Sequence, residues 1–146
     1  MTNGTSDQDF LRAFEDCTLP FEQWKHRAHI KVAYLYLRKL PYEQALAKAR
    51  TNIKRYNAAT NTPETLERGY HETITAAWMR LVEFTLHEYG PAATADEFLD
   101  AQEHLLNRKA LRVFYTREHL ISWHAKAEWA EPDLVPLPVS RKNSSL

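Results

Sequence analysis

The chain has 146 residues, 44% of them hydrophobic and 26% charged, a composition that suits one globular domain with its own core and excludes disordered and membrane classes. Nineteen basic and nineteen acidic side chains cancel to a formal charge of zero, so no overall field draws the chain to nucleic acid or to an anionic membrane. Gly4, Gly69 and Gly90 are too few and too scattered for phosphate-cradling loops or β-sandwich turns, and the single Cys17 excludes internal disulfides and cysteine-rich zinc sites.

Residues 1–9 are small, polar and acidic, and they are expected to form a disordered N-terminus without a secretory signal. With the lone cysteine, this makes a cytoplasmic protein the expectation. Phe10, Leu11 and Phe14 recur at helical spacing and predict a first helix ending near Cys17, before Thr18-Leu19-Pro20 breaks it. A second helix is expected over 21–40, with Pro20 at its start and Pro41 as its stop. A third covers 42–56, its inner stripe formed by Ala45, Leu46, Ala49, Ile53 and Tyr56. The fourth and longest is read from Pro63, behind a Thr62 cap, to Tyr89, where Gly90-Pro91 closes it. Gly69 either breaks that helix before Tyr70 or admits a neighbouring backbone.

A fifth helix is expected over 95–106 and a sixth over 116–130 with Thr116 as cap, while 108–115 stays ambiguous. Pro132, Pro136 and Pro138 force an extended segment, and 139–146 reads as a flexible tail. These elements add up to an all-α fold, a single compact bundle of five to six helices over 10–138 with an extended proline-rich C-terminal segment.

At about 100° per residue, Glu22, His26 and His29 share the inward face of the second helix. His71 lies near the start of the apolar stripe of the fourth, one turn after Glu67. If the two helices are neighbours, His26, His29 and His71 converge, with Glu22 as a fourth ligand or an orienting partner. Three imidazoles and a carboxylate suit a divalent transition metal, zinc or iron foremost. The competing reading is a set of hydrogen-bonded core histidines, which would need partners for every buried nitrogen.

Carboxylate-bridged di-iron bundles are disfavoured because no glutamate has a histidine three residues later, and the HExxH motif is absent. His87, His104, His119 and His124 lie in polar contexts and read as solvated. Arg108, Lys109, Arg112 and Arg117 form a local basic stretch, either solvated or supplying one arginine to a substrate carboxylate or phosphate. Cys17 has no histidine in local register to activate it.

Three motifs, Trp24-x-His26-x-x-His29-Ile30, Gly69-Tyr70-His71-Glu72-Thr73-Ile74-Thr75-x-x-Trp78 and Trp129-x-x-Pro132-Asp133-Leu134-x-Pro136-Leu137-Pro138, resemble a family of small uncharacterised bacterial helical proteins. The resemblance implies a bacterial origin and directs attention to His26, His29 and His71, with Glu72, Thr73 and Thr75 as motif members. It supplies no activity.

The expectation is a metal-dependent enzyme acting on a small polar molecule by hydrolysis or oxygen chemistry. Glu72, or Glu67 instead, would be the general acid or base, and Tyr70, Thr75 and Trp78 would shape the pocket. The alternatives are a metal-free enzyme using the same histidines as acid and base, and a non-enzymatic helical interaction module. The expected partner is a small-molecule substrate, with no nucleic acid and no membrane; a homodimer is left open.

Overall fold

The computed structural model describes residues 6–139, so the tail at 140–146 and the first five residues of the expected disordered N-terminus lie outside the described residues. The fold is all-α, with seven α-helices and three short 3₁₀ turns and no strand among the described residues. No described helix is long and apolar enough to cross a membrane.

Helix α1 spans Asp7–Glu15 and buries Phe10 and Phe14. It begins earlier than the sequence suggests, because Ser6 caps it by accepting from the Asp9 amide at 3.1 Å. The Asp7 carboxylate also accepts from the amide of Ala95 at 2.9 Å, which fastens the helix start to the rest of the molecule. Cys17, with φ +63°, turns the chain out of the helix.

The second helix, α2, covers His26–Lys39, and the residues before it form a 3₁₀ turn, Phe21–Gln23, rather than the predicted first turns. Burial of Trp24 explains the delayed start. Its backbone leaves the helical region, and its indole is inserted against Phe14 at 4.7 Å and Tyr56 at 5.1 Å between centroids. Helix α3, Tyr42–Ala59, packs on α2 with the predicted stripe inward.

Helix α4 spans Glu72–Tyr89 and packs against both α2 and α3. It ends where expected, at Gly90, but starts nine residues late. Gly69 takes φ +90°, a left-handed conformation, so it is the break rather than a point of helix contact. Residues 60–71 thus form a non-helical strap across the α3–α4 end.

The rest is built from short pieces: α5 (Ala95–Ala101), 3₁₀ turns at Glu103–Leu106 and Ala110–Val113, α6 (Arg117–Leu120) and α7 (Trp123–Ala127). The predicted sixth helix divides at Ser122, whose hydroxyl accepts from the Ala125 amide and donates to the His119 carbonyl, offering the backbone a new cap in place of continued helix. The following segment is extended, as the prolines require. It is stitched down by Tyr115 donating to the Ala130 carbonyl at 2.7 Å and by Thr73, which donates to the Glu128 carbonyl and accepts from the Ala130 amide, both at 2.9 Å.

Candidate functional site

Between α2, α3, α4 and the strap lies a cavity of about 590 Å³, a volume typical of small-molecule sites. His26, His29, His71, Tyr70, Thr75 and Trp78 all line it, as does Glu67. Seven of the nine residues singled out from sequence therefore share one concavity. Glu22 and Glu72 do not line it.

His26 stands at the first residue of α2, its ring edge-on to Trp78 at 4.6 Å between centroids. Its Nε2 is 2.9 Å from the Leu105 carbonyl. A carbonyl can only accept, so Nε2 carries the proton and Nδ1 carries the lone pair. Burial lowers the pKa of this imidazole, and the charge of Arg108 lowers it further, against the Leu105 bond that raises it.

One turn on, His29 lies against the indole of Trp24, 3.8 Å between ring centroids, and donates from Nδ1 to the Lys25 carbonyl at 2.8 Å. Its lone pair is on Nε2. Burial pushes its pKa down to about 4. No buried side-chain nitrogen or oxygen among the described residues lacks a hydrogen-bond partner. No hydrogen bond among the described residues engages Nδ1 of His26 or Nε2 of His29, so these two atoms stay accessible, on residues that line the cavity.

His71 is different. It is the N-cap of α4, where Nδ1 accepts from the Ile74 amide at 3.0 Å, while Nε2 donates to the Leu120 carbonyl at 2.9 Å. Both nitrogens are engaged, and burial again lowers the pKa. The ring holds the start of α4 to the 116–122 segment and presents no free donor atom to the cavity.

Two of the three carboxylates, Glu67 and Glu72, are also committed. Glu22 is exposed on the 3₁₀ turn ahead of α2. Glu67 pairs with Arg117, both on the surface. Glu72 takes a two-pronged bond from Arg50, at 2.8 and 2.7 Å, and a third from the Tyr70 hydroxyl at 2.8 Å. The Arg50 pair holds its carboxyl below the ordinary range, so Glu72 is a fixed anion that positions the Tyr70 ring in the cavity wall.

Among the described residues, no group of three or more His, Cys, Asp or Glu side chains could hold a metal ion. Of the expected zinc or iron set, His26, His29 and His71 line the cavity and Glu22 does not, and the three imidazoles supply only two open nitrogens. These donors do not fit the metal.

Sequence reasoning placed no significance on Lys25, Arg68 or Lys126, all of which line the cavity. They come from three segments that only the fold brings together, and no local signal marks them. Arg108, one of the basic stretch, also reaches the lining. Compared with protein-family models, with curated proteins and with solved structures, the chain matches none.

Proposed function

We propose that the cavity is an acid–base site that acts on a small polar molecule without a metal. The observation that carries this reading is the pair of neutral imidazoles, His26 and His29, whose open nitrogens line the same small-molecule-sized concavity. Each ring is held in one tautomer and orientation by a backbone carbonyl, the role that an orienting acceptor plays behind a catalytic histidine. His29, with its pKa near 4, stays neutral through the physiological range and serves as a fixed hydrogen-bond acceptor. His26 is the proton acceptor, and its Nε2–H bond to the Leu105 carbonyl strengthens when the ring becomes imidazolium. Trp78, Tyr70 and Thr75 give the pocket its shape.

The setting in this reading is the bacterial cytoplasm, supported by the free thiol of Cys17 and by the motif resemblance. Turnover of a panel of small esters, lactones, amides and carboxylates with an acidic α-proton, measured in EDTA, tests the reading. It expects turnover that EDTA spares and that His26→Gln lowers by roughly a hundredfold or more. Turnover abolished by EDTA, or equal in wild type, His26→Gln and His29→Gln, contradicts it.

A further inference from the structure

The chain is neutral overall, but its cavity is not. Four cations line it, Lys25, Arg68, Arg108 and Lys126, against the single carboxylate of Glu67. Two of these five charges are satisfied within the fold. Glu67 pairs with Arg117, and Lys126, only 10% exposed at its side chain, donates to the Arg68 and Tyr70 carbonyls and pairs with Glu64. Lys25, Arg68 and Arg108 remain at the rim, exposed, and none of them forms an ion pair with a carboxylate among the described residues. They arrive from three unconnected parts of the chain. Three like charges around one opening repel one another, and an anion between them removes that cost. The neutral imidazoles do not answer the charge; they offer acceptors to a hydroxyl or amine of the ligand instead. Deeper in, Trp24, Trp78, Ile30, Ile74 and Met79 make an apolar wall.

From this arrangement we infer that the ligand of the site is an organic oxyanion, a carboxylate or a phosphate ester on a flat apolar body, held by Arg108 with Lys25 and Arg68 around it. The planar fork of a guanidinium matches either head group. The inference rests on the cavity being the reaction site and names the class of molecule that it takes.

Titration of the full chain with benzoate, phenyl phosphate, benzyl alcohol and inorganic phosphate, in EDTA at low salt, tests it. Trp24 and Trp78 in the lining provide a fluorescence signal, and calorimetry provides a second. At least one of the two aromatic anions is expected to bind about tenfold or more tightly than benzyl alcohol and inorganic phosphate, and which of them binds better identifies the head group. Arg108→Gln is expected to weaken that anion by roughly tenfold to a hundredfold, while Arg112→Gln, in the same basic stretch but outside the lining, leaves it unchanged. All these substitutions are at exposed positions, and thermal melts verify that each variant folds.

Failure of both anions to saturate overturns the inference. So does equal binding of benzyl alcohol, or affinity that survives both Arg108→Gln and Arg68→Gln. Anion binding without turnover of any panel substrate would remove the acid–base reading and leave this inference standing; turnover that neither anion inhibits would do the reverse.

Discussion

The cavity has two walls of different construction. The α2–α4 wall carries His26, His29, Ile74 and Trp78 on helices whose backbone bonds are internal and whose inner faces are buried. The strap wall, residues 60–71, has no helix of its own. It is held internally by the Thr65–Arg68 turn, with backbone bonds of 3.1 and 3.4 Å, by the Tyr70 amide donating to Glu64 at 3.3 Å and by the Thr60–Thr62 hydroxyl pair at 3.0 Å, and it takes further support from outside. Lys126 bonds to the Arg68 and Tyr70 carbonyls at 2.7 Å each and pairs with Glu64 at 3.3 Å, and Arg117 reaches Glu67. The first wall is held by helix packing along its length, the second by the burial of Tyr70 and His71 at one end and by polar contacts over the rest. The proton-accepting groups thus sit on the helical wall, and one of the rim cations, Arg68, sits on the non-helical one, which is expected to open first.

That contrast can be broken from either side. Trp24→Ala is expected to have the largest effect, about 3–5 kcal/mol by denaturant melts, because it opens a void among Phe14, Tyr56 and His29 at the base of the helical wall.

Acid comes next. The folded pKa of His29 is near 4, below the ordinary 6.5, and those of His26 and His71 are lowered in the same direction. Between these values the unfolded chain binds protons that the folded chain refuses. Stability is therefore full above pH 6.5 and declines as pH falls toward 4, with at most about 3 kcal/mol from His29. Glu72 and Asp96, whose pKa values are also lowered, add their losses only below the ordinary carboxylate range. Melts between pH 6.5 and 4.5 isolate the histidines, and His29→Gln is expected to flatten the slope there.

A strap variant sharpens the comparison. Lys126→Met leaves two carbonyls and Glu64 without their cation, costing about 1–3 kcal/mol. Hydrogen exchange is expected to rise at residues 64–70 while the amides of α2 and α4 keep their protection. Uniform loss of protection would show the two walls to be one cooperative unit. Arg117→Ala marks the lower limit: both members of its pair with Glu67 are more than 60% exposed, so a change below about 0.5 kcal/mol is expected.

The same division governs what was legible in the sequence. Gly90-Pro91 located the end of α4, and apolar periodicity located α1 and α3, because those helices bury one continuous stripe. It also brought His26, His29 and Trp78 to one interior, since residues three and four apart on a packed helix share a face. It failed where a single residue overrides the pattern. Trp24 leaves the helix to bury its indole, Gly69 takes a left-handed turn in front of His71, and Ser122 recaps the chain within a predicted helix.

Roles were harder to read than positions. His71 was correctly associated with the interior, but whether an imidazole nitrogen is open or spent depends on carbonyls such as that of Leu120, 49 residues away. Glu72 and Tyr70 belonged to one motif, yet the bond from Arg50 that fixes Glu72 as an anion crosses from another helix. Of the rim cations only Arg108 stands in a basic stretch that local composition marks; Lys25 and Arg68 leave no such trace, and in a chain of zero net charge only the fold brings the three together.

The central claim is that two neutral imidazoles present lone pairs to the cavity. Long-range ¹H–¹⁵N NMR on histidine-labelled protein in EDTA, followed from pH 8 to pH 4 with and without benzoate, measures this directly. The account predicts that at pH 8 Nδ1 of His26 and Nε2 of His29 carry no proton, that His26 titrates below 6.5 and His29 only near pH 4, and that both nitrogens shift when benzoate is added. Two rings that titrate together near 6.5 and ignore benzoate would contradict it.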